Sequence, residues 1–157
     1  MSVSTDIKSL LVNKINALSS TQAVYSYSEL NPDGWPCVWV KTSDLQGTFA
    51  TTAENRRIYA YDVTCILTLG EDFIKNGSIQ REEYAENTLA TVVDDILTLV
   101  DDITFITQLQ GIYTSGDTAV LFVEAADAKW GEIDMQSGKA KAIQITLLIH
   151  TDYNTRT

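Results

Sequence analysis

The sequence predicts an α+β domain in which a mainly antiparallel sheet carries two helices packed on one face. Three observations predict it. Apolar residues recur every three or four positions at 7–18 and again at 85–100, several other runs alternate apolar with polar, and the order is helix, short strands, long strand, helix, strands. At 157 residues the chain fits one domain, 1–157, because single cores are commonly built from about 100 to 200 residues. No internal repeat divides it.

The first helix has Ser4 or Thr5 as its cap and Ile7, Leu10, Leu11, Ile15 and Leu18 as its apolar stripe. Lys8, Asn13, Lys14 and Asn16 occupy the other side, and Ser19, Ser20 and Thr21 end it. "AVYSYSE" reads as a short strand before the turn at 31–34. "CVWVK" reads as a strand entered through Pro36, with Cys37 and Trp39 on one face and Val38 and Val40 on the other. Both faces being apolar, it is either covered on both sides or meets a partner. "SDLQG" is a polar break.

The strongest strand is "NRRIYAYDVTCILTLG", 55–70, where Tyr59, Tyr61, Val63, Cys65, Leu67 and Leu69 alternate with a mixed side. "EDFIKNGS" is a linker. The second helix has Ser78 as its cap and Ala85, Leu89, Val92, Val93, Ile96, Leu97 and Val100 as a broad stripe suited to lie over the long strand. From Asp101 the pattern weakens, and "DDITFITQLQGIYTSGD" reads as a capped short helix or as an irregular strand and turn. "TAVLFVEAA", 118–126, is a strand, "DAKWGEIDMQSG" a protruding loop that carries Trp130 outward, "KAKAIQITLLIH" the closing strand, and "TDYNTRT" a tail.

Eleven basic against 21 acidic residues give a formal charge of −10, so the field of the molecule opposes tight binding of nucleic acid. Arg56 with Arg57, and Lys139 with Lys141, are too sparse to form a basic patch. No apolar run approaches the roughly 20 residues that cross a bilayer, and the first twenty residues, interrupted by Asp6, Lys8 and Lys14, do not form a secretory signal. Cys37 and Cys65 sit in apolar, strand-like contexts without CxxC spacing, which favours buried thiols over a disulfide framework.

Catalytic chemistry finds little to use. Glu82 with Glu83, Asp94 with Asp95, and Asp101 with Asp102 are sequence neighbours that point about 100° apart on a helix, as a solvated acidic face does. His150 has no second histidine and no serine or cysteine in a nucleophile context. The glycine turns match neither GxxxxGK[ST] nor GxGxxG. No catalytic, cofactor-binding or metal-binding residue is therefore assigned. The candidates for contact are Trp35, Arg56, Arg57, Tyr59 and Trp130, aromatic and basic residues near loop or strand ends; Tyr and Trp desolvate a large area while keeping a polar contact. Trp39 has the stronger claim to the core.

The helix "DIKSLLVNKINAL", the strand entry "GWPCVWV", the long strand "NRRIYAYDVTCILTLG" followed by "EEYAENTLATVVDDILTLV", and the closing "AIQITLLIH" together resemble the tail terminator proteins of long-tailed bacteriophages, the group of the lambda-like tail terminators and minor tail proteins. The resemblance covers nearly the whole chain as an arrangement. It implies a virion subunit, assembled in the host cytoplasm, that joins a hexameric ring at the head-proximal end of the tail. The ring stops polymerisation of the tail tube protein and offers a surface to neck or head-completion proteins, while DNA passes its channel without specific binding. It implies no catalytic motif, no cofactor and no membrane partner. The connections at 101–117 and 127–138 are longer than in a simple compact member. Another head-to-tail connector, a neck or tail-completion protein, is the second reading, and a small hydrolase built on His150 and Cys65 the third.

Overall fold

The computed structural model describes residues 3–43, 46–49, 54–69, 78–111, 118–136 and 138–154. In chain order the elements are α1 (Val3–Asn16), β1 (Ala23–Tyr25), β2 (Cys37–Thr42), β3 (Gln46–Phe49), β4 (Glu54–Thr68), α2 (Ser78–Asp101), α3 (Ile103–Gly111), β5 (Thr118–Met135) and β6 (Gly138–Asn154). The strands form one six-stranded sheet in the order β1-β2-β4-β6-β5, with β3 beside β4. β1 runs parallel to β2, and every other pairing is antiparallel.

One face of the sheet holds the main core. Val38 and Val40 from β2, Tyr59, Tyr61, Val63, Cys65 and Leu67 from β4, and Ile143, Ile145, Leu147 and Ile149 from β6 pack there against helical side chains. The alternation in β4 and β6 produces this face, since successive strand residues point to opposite sides. α1 contributes Ile7, Leu11 and Ile15, spaced four apart, and α2 contributes Ala85, Leu89, Val92, Val93, Ile96 and Val100. Thr21 follows the end of α1: its single hydroxyl proton is shared between the Ile15 carbonyl at 3.1 Å and that of Leu18 at 3.2 Å, adding to the backbone bonds that meet carbonyls at the helix end.

Two helices on this face were expected, and the described residues form three. α3 buries Phe105 and Leu109 in the same core and settles the open alternative at 101–111 as a helix. Its cap is Asp102, whose Oδ1 accepts the Thr104 N–H at 2.8 Å; an Asp just before the first helical residue satisfies an otherwise orphan donor. The pattern was weak because a nine-residue helix shows barely two repeats of its stripe.

Three further expectations change. The loop expected at 127–138 is strand: β5 runs on to Met135, paired with β6 through Gly138. Residues 151–154, read as tail, extend β6 to Asn154. β3 was not anticipated, as "SDLQG" read only as a break. At the β5–β6 turn Gly138 has φ +120°, a conformation open to glycine and strained for other residues. β5 also shifts register between Val120 and Phe122 and between Ala125 and Asp127.

The second face carries a smaller cluster of Ala23, Cys37, Trp39, Ile66, Met135, Ala140 and Ala142. The segment between β1 and β2 folds across it, held where the Gln136 N–H donates to the Leu30 carbonyl at 3.0 Å. The Trp35–Pro36 peptide is cis, and the Pro36 carbonyl accepts the Gln22 N–H at 2.9 Å.

Candidate functional site

The groups with intrinsic reactivity are dispersed. Cys37 and Cys65 are both fully buried, Cys65 under the helices and Cys37 on the second face. Burial pushes each thiol up from 9.0 to about 12, with a smaller contribution to Cys65 from Cys37 beside it; a thiol held protonated is neither nucleophile nor metal ligand. His150 lies seven residues along β6 from Ile143, the partner of Cys65, and points to the opposite face. Its Nε2 stands 3.4 Å from Oε1 of Glu124. His150 and Cys65 therefore do not meet in one site.

The acidic pairs do not converge either. Glu83, Asp94, Asp101 and Asp102 are exposed, and Asp102 is the cap of α3. The side chain of Glu82 lies outside the described residues. Among the described residues no three His, Cys, Asp or Glu side chains gather as a metal site would require, and no helix is long and apolar enough to cross a membrane. A shallow hollow of about 200 Å³ on the second face is lined by Thr64, Gly131, Ile133, Ala142 and Gln144 among others. It is smaller than the roughly 300 Å³ at which ligand pockets begin.

The five contact candidates are spread over the sheet. Trp35 is half-buried and touches both apolar clusters, joining the two faces near the entry to β2. Tyr59 is 7% exposed, inside the helix-side core. Arg56 and Arg57 occupy β4 positions opposite Thr48 and Gly47 of β3; their side chains lie outside the described residues. Trp130, on β5, is 42% exposed. Its cross-strand partner is Ile143, which belongs to the helix-side core, so Trp130 shares that face. Lys141 places its ammonium 5.7 Å from the indole centroid, within reach of a cation–π contact.

The sheet thus ends in two unlike margins. At one, residues 124–132 of β5 are exposed on both faces, and among the described residues no strand lies beyond them. Glu124, Asp127, Glu132 and Asp134 outnumber Lys129 there, and Lys129 and Glu132 make only exposed ion pairs, to Asp127 at 3.7 Å and from Lys139 at 3.8 Å. At the other margin α1 lies over β1 and β2, and an open groove of about 400 Å³ is lined by Thr5, Lys8, Ser9, Val12, Asn13 and Ser26. An open margin of this kind can pair with another chain.

Sequence reading identified Trp130 but placed it on a loop, and it missed both the β5 margin and the α1 groove. An edge strand wet on both faces shows no alternation, so "DAKWGEID" carries no period-two signal. The one local sign is Gly138, where a tight hairpin turn needs positive φ. Compared with known proteins, the chain matches no protein-family model, and no curated protein matches its sequence.

Proposed function

We propose that the protein is a structural subunit of a long-tailed phage, of the tail-terminator kind, which closes with copies of itself into a ring, caps the head-proximal end of the tail tube and presents the ring to neck proteins. The observation that supports this reading most directly is the open sheet, with a long edge strand that carries an exposed tryptophan at one margin and a groove at the other. Its two thiols are buried and its one histidine stands apart from them, so the prominent features of the surface are those of association.

The mechanism is geometric. Unlike margins meeting head to tail generate a closed ring when the rotation per subunit divides a full turn. Such a ring stops a tube by matching its last layer without presenting the surface that recruits the next. Modest contacts repeated around the ring add up through avidity.

Mixing the purified protein with polymerising tail-tube subunits tests the reading. Shorter tubes of uniform length, each with a ring at one tip in electron micrographs, are expected. Unchanged tube lengths with no density at the tips would sink it; binding to connector rings without arrest of tubes would assign the protein to the neck instead.

A further inference from the structure

The two margins are matched in level, in strand sense and in charge. Following the pairings across the sheet, Val24 of β1 is level with Val38, Val38 with Cys65, Cys65 with Ile143, and Ile143 with Trp130 of β5. Trp130 at one margin and Val24 at the other therefore stand in one row. Both are on the helix side, since Val24 packs against the helix-side core. Ser26, at the lip of the α1 groove, follows directly after β1.

Strand sense agrees as well. β5 is antiparallel to β6 and β6 to β4, so β5 runs with β4; β2 is antiparallel to β4 and β1 parallel to β2, so β1 runs against β5. A second copy set beside the first without inversion presents its β1 antiparallel to the neighbour's β5, the sense that closely spaced hydrogen-bonded pairs require. Charge adds a preference: four carboxylates against one lysine mark 124–134 of β5, whereas α1 carries Lys8 and Lys14 against Asp6. Two β5 margins meeting each other would oppose carboxylates to carboxylates, which is unfavourable.

We propose that the β5 margin of one copy docks on the α1–β1 margin of the next, with Trp130 entering the groove lined by Lys8, Ser9 and Val12 and the β5 edge lying along β1. This rests on reading the chain as a ring-forming subunit and names the contact that would build the ring. Trp130 supplies the apolar anchor, Lys8 can replace Lys141 over the indole, and Glu132 beside Trp130 faces the lysines of α1.

Paired cysteines test it in the full-length protein. Ser9→Cys on the groove and Ala128→Cys, two residues from Trp130 on the same face, put thiols at opposite margins, roughly four strand spacings or ~19 Å apart within one chain. A disulfide needs Cα atoms within about 7 Å, so a bond between them joins two copies. Cys37 and Cys65 are buried and stay out of the reaction. Mild oxidation of the double variant is expected to give a ladder extending past dimer on non-reducing gels, and neither single variant should pass dimer. Trp130→Ala, at an exposed position, should weaken self-association about 30-fold, as loss of an interface anchor does, with its thermal unfolding unchanged.

Rings in micrographs without a ladder, or with Trp130→Ala associating as tightly as the parent, would overturn the docking and leave the ring-forming reading intact. A chain that stays monomeric at every concentration, with and without tail tubes, would remove that reading and the docking with it.

Discussion

At the residue scale the buried thiols are the most informative groups, because they connect the fold to a solution measurement. Both have folded values near 12, above the ordinary 9.0, and the cause is burial. The folded state therefore keeps protons that the unfolded state gives up, so stability is fully present below pH 9 and declines as pH rises toward 12. Each thiol adds at most about 1.4 kcal/mol per pH unit to that decline. Denaturant midpoints measured between pH 8 and 11 should fall, and the slope should flatten in a Cys37→Ala, Cys65→Ala double variant relative to the parent. Equal slopes would mean that the thiols ionise in the folded protein. The sequence showed that these cysteines are interior, since each occupies an apolar alternation. That one would sit under the helices and the other on the second face follows from the same alternation, with Cys37 and Trp39 on one side of β2 and Val38 and Val40 on the other. Trp39 is buried in the smaller cluster with its indole N–H unpartnered among the described residues, a cost of about 1–3 kcal/mol that its apolar burial must outweigh.

At the element scale, legibility followed burial. β4 and β6 pack one face into the main core, and their period of two was plain; α1 and α2 bury one stripe each, and their period was equally plain. β3 has four residues, fewer than two repeats of any pattern, and the outer half of β5 is exposed on both faces, so neither left an apolar record. The candidate surface was hard to read for that same reason: solvent imposes no periodicity on the residues that face it. α3 lies between these cases. Its buried residues Phe105 and Leu109 are four apart, with Ile106 partly buried beside them, but nine residues are too few to repeat the stripe. Two substitutions separate what holds it. Asp102→Ala removes only the cap and should cost about 1 kcal/mol, whereas Phe105→Ala empties a fully packed site and should cost about 3–5 kcal/mol. Chemical denaturation checks both, and equal effects would show that capping, rather than packing, retains the helix.

For the whole molecule the dominant quantity is the charge of −10. If copies dock as proposed, they repel at long range even where their margins are locally complementary, so local charges would select which surfaces meet and net charge would set how salt acts on affinity. Raising ionic strength from about 10 mM to about 150 mM shortens the screening length from roughly 30 Å to 8 Å. Self-association followed by sedimentation velocity should strengthen over that range. Weakening would mean that pairing between the acidic and basic margins outweighs the general repulsion. The α+β character with a mainly antiparallel sheet, the strand alternation and the principal helix were legible in the chain at this scale, whereas the two-helix layer was wrong by α3; the margins were not legible, because they exist only once distant strands are set side by side. The sheet order has one more consequence, for the timing of folding. β6 follows β5 in the chain yet lies between β4 and β5, so when β5 leaves the ribosome its strand neighbour among the described residues has not been made. The pairing of β4 with β6 spans most of a hundred residues of sequence, a separation that slows folding. A polypeptide interrupted before β6 would expose two open edges, a condition that favours aggregation and capture by chaperones. Truncated chains that lack β6 should therefore aggregate or be cleared, because the strand that joins β4 to β5 is missing.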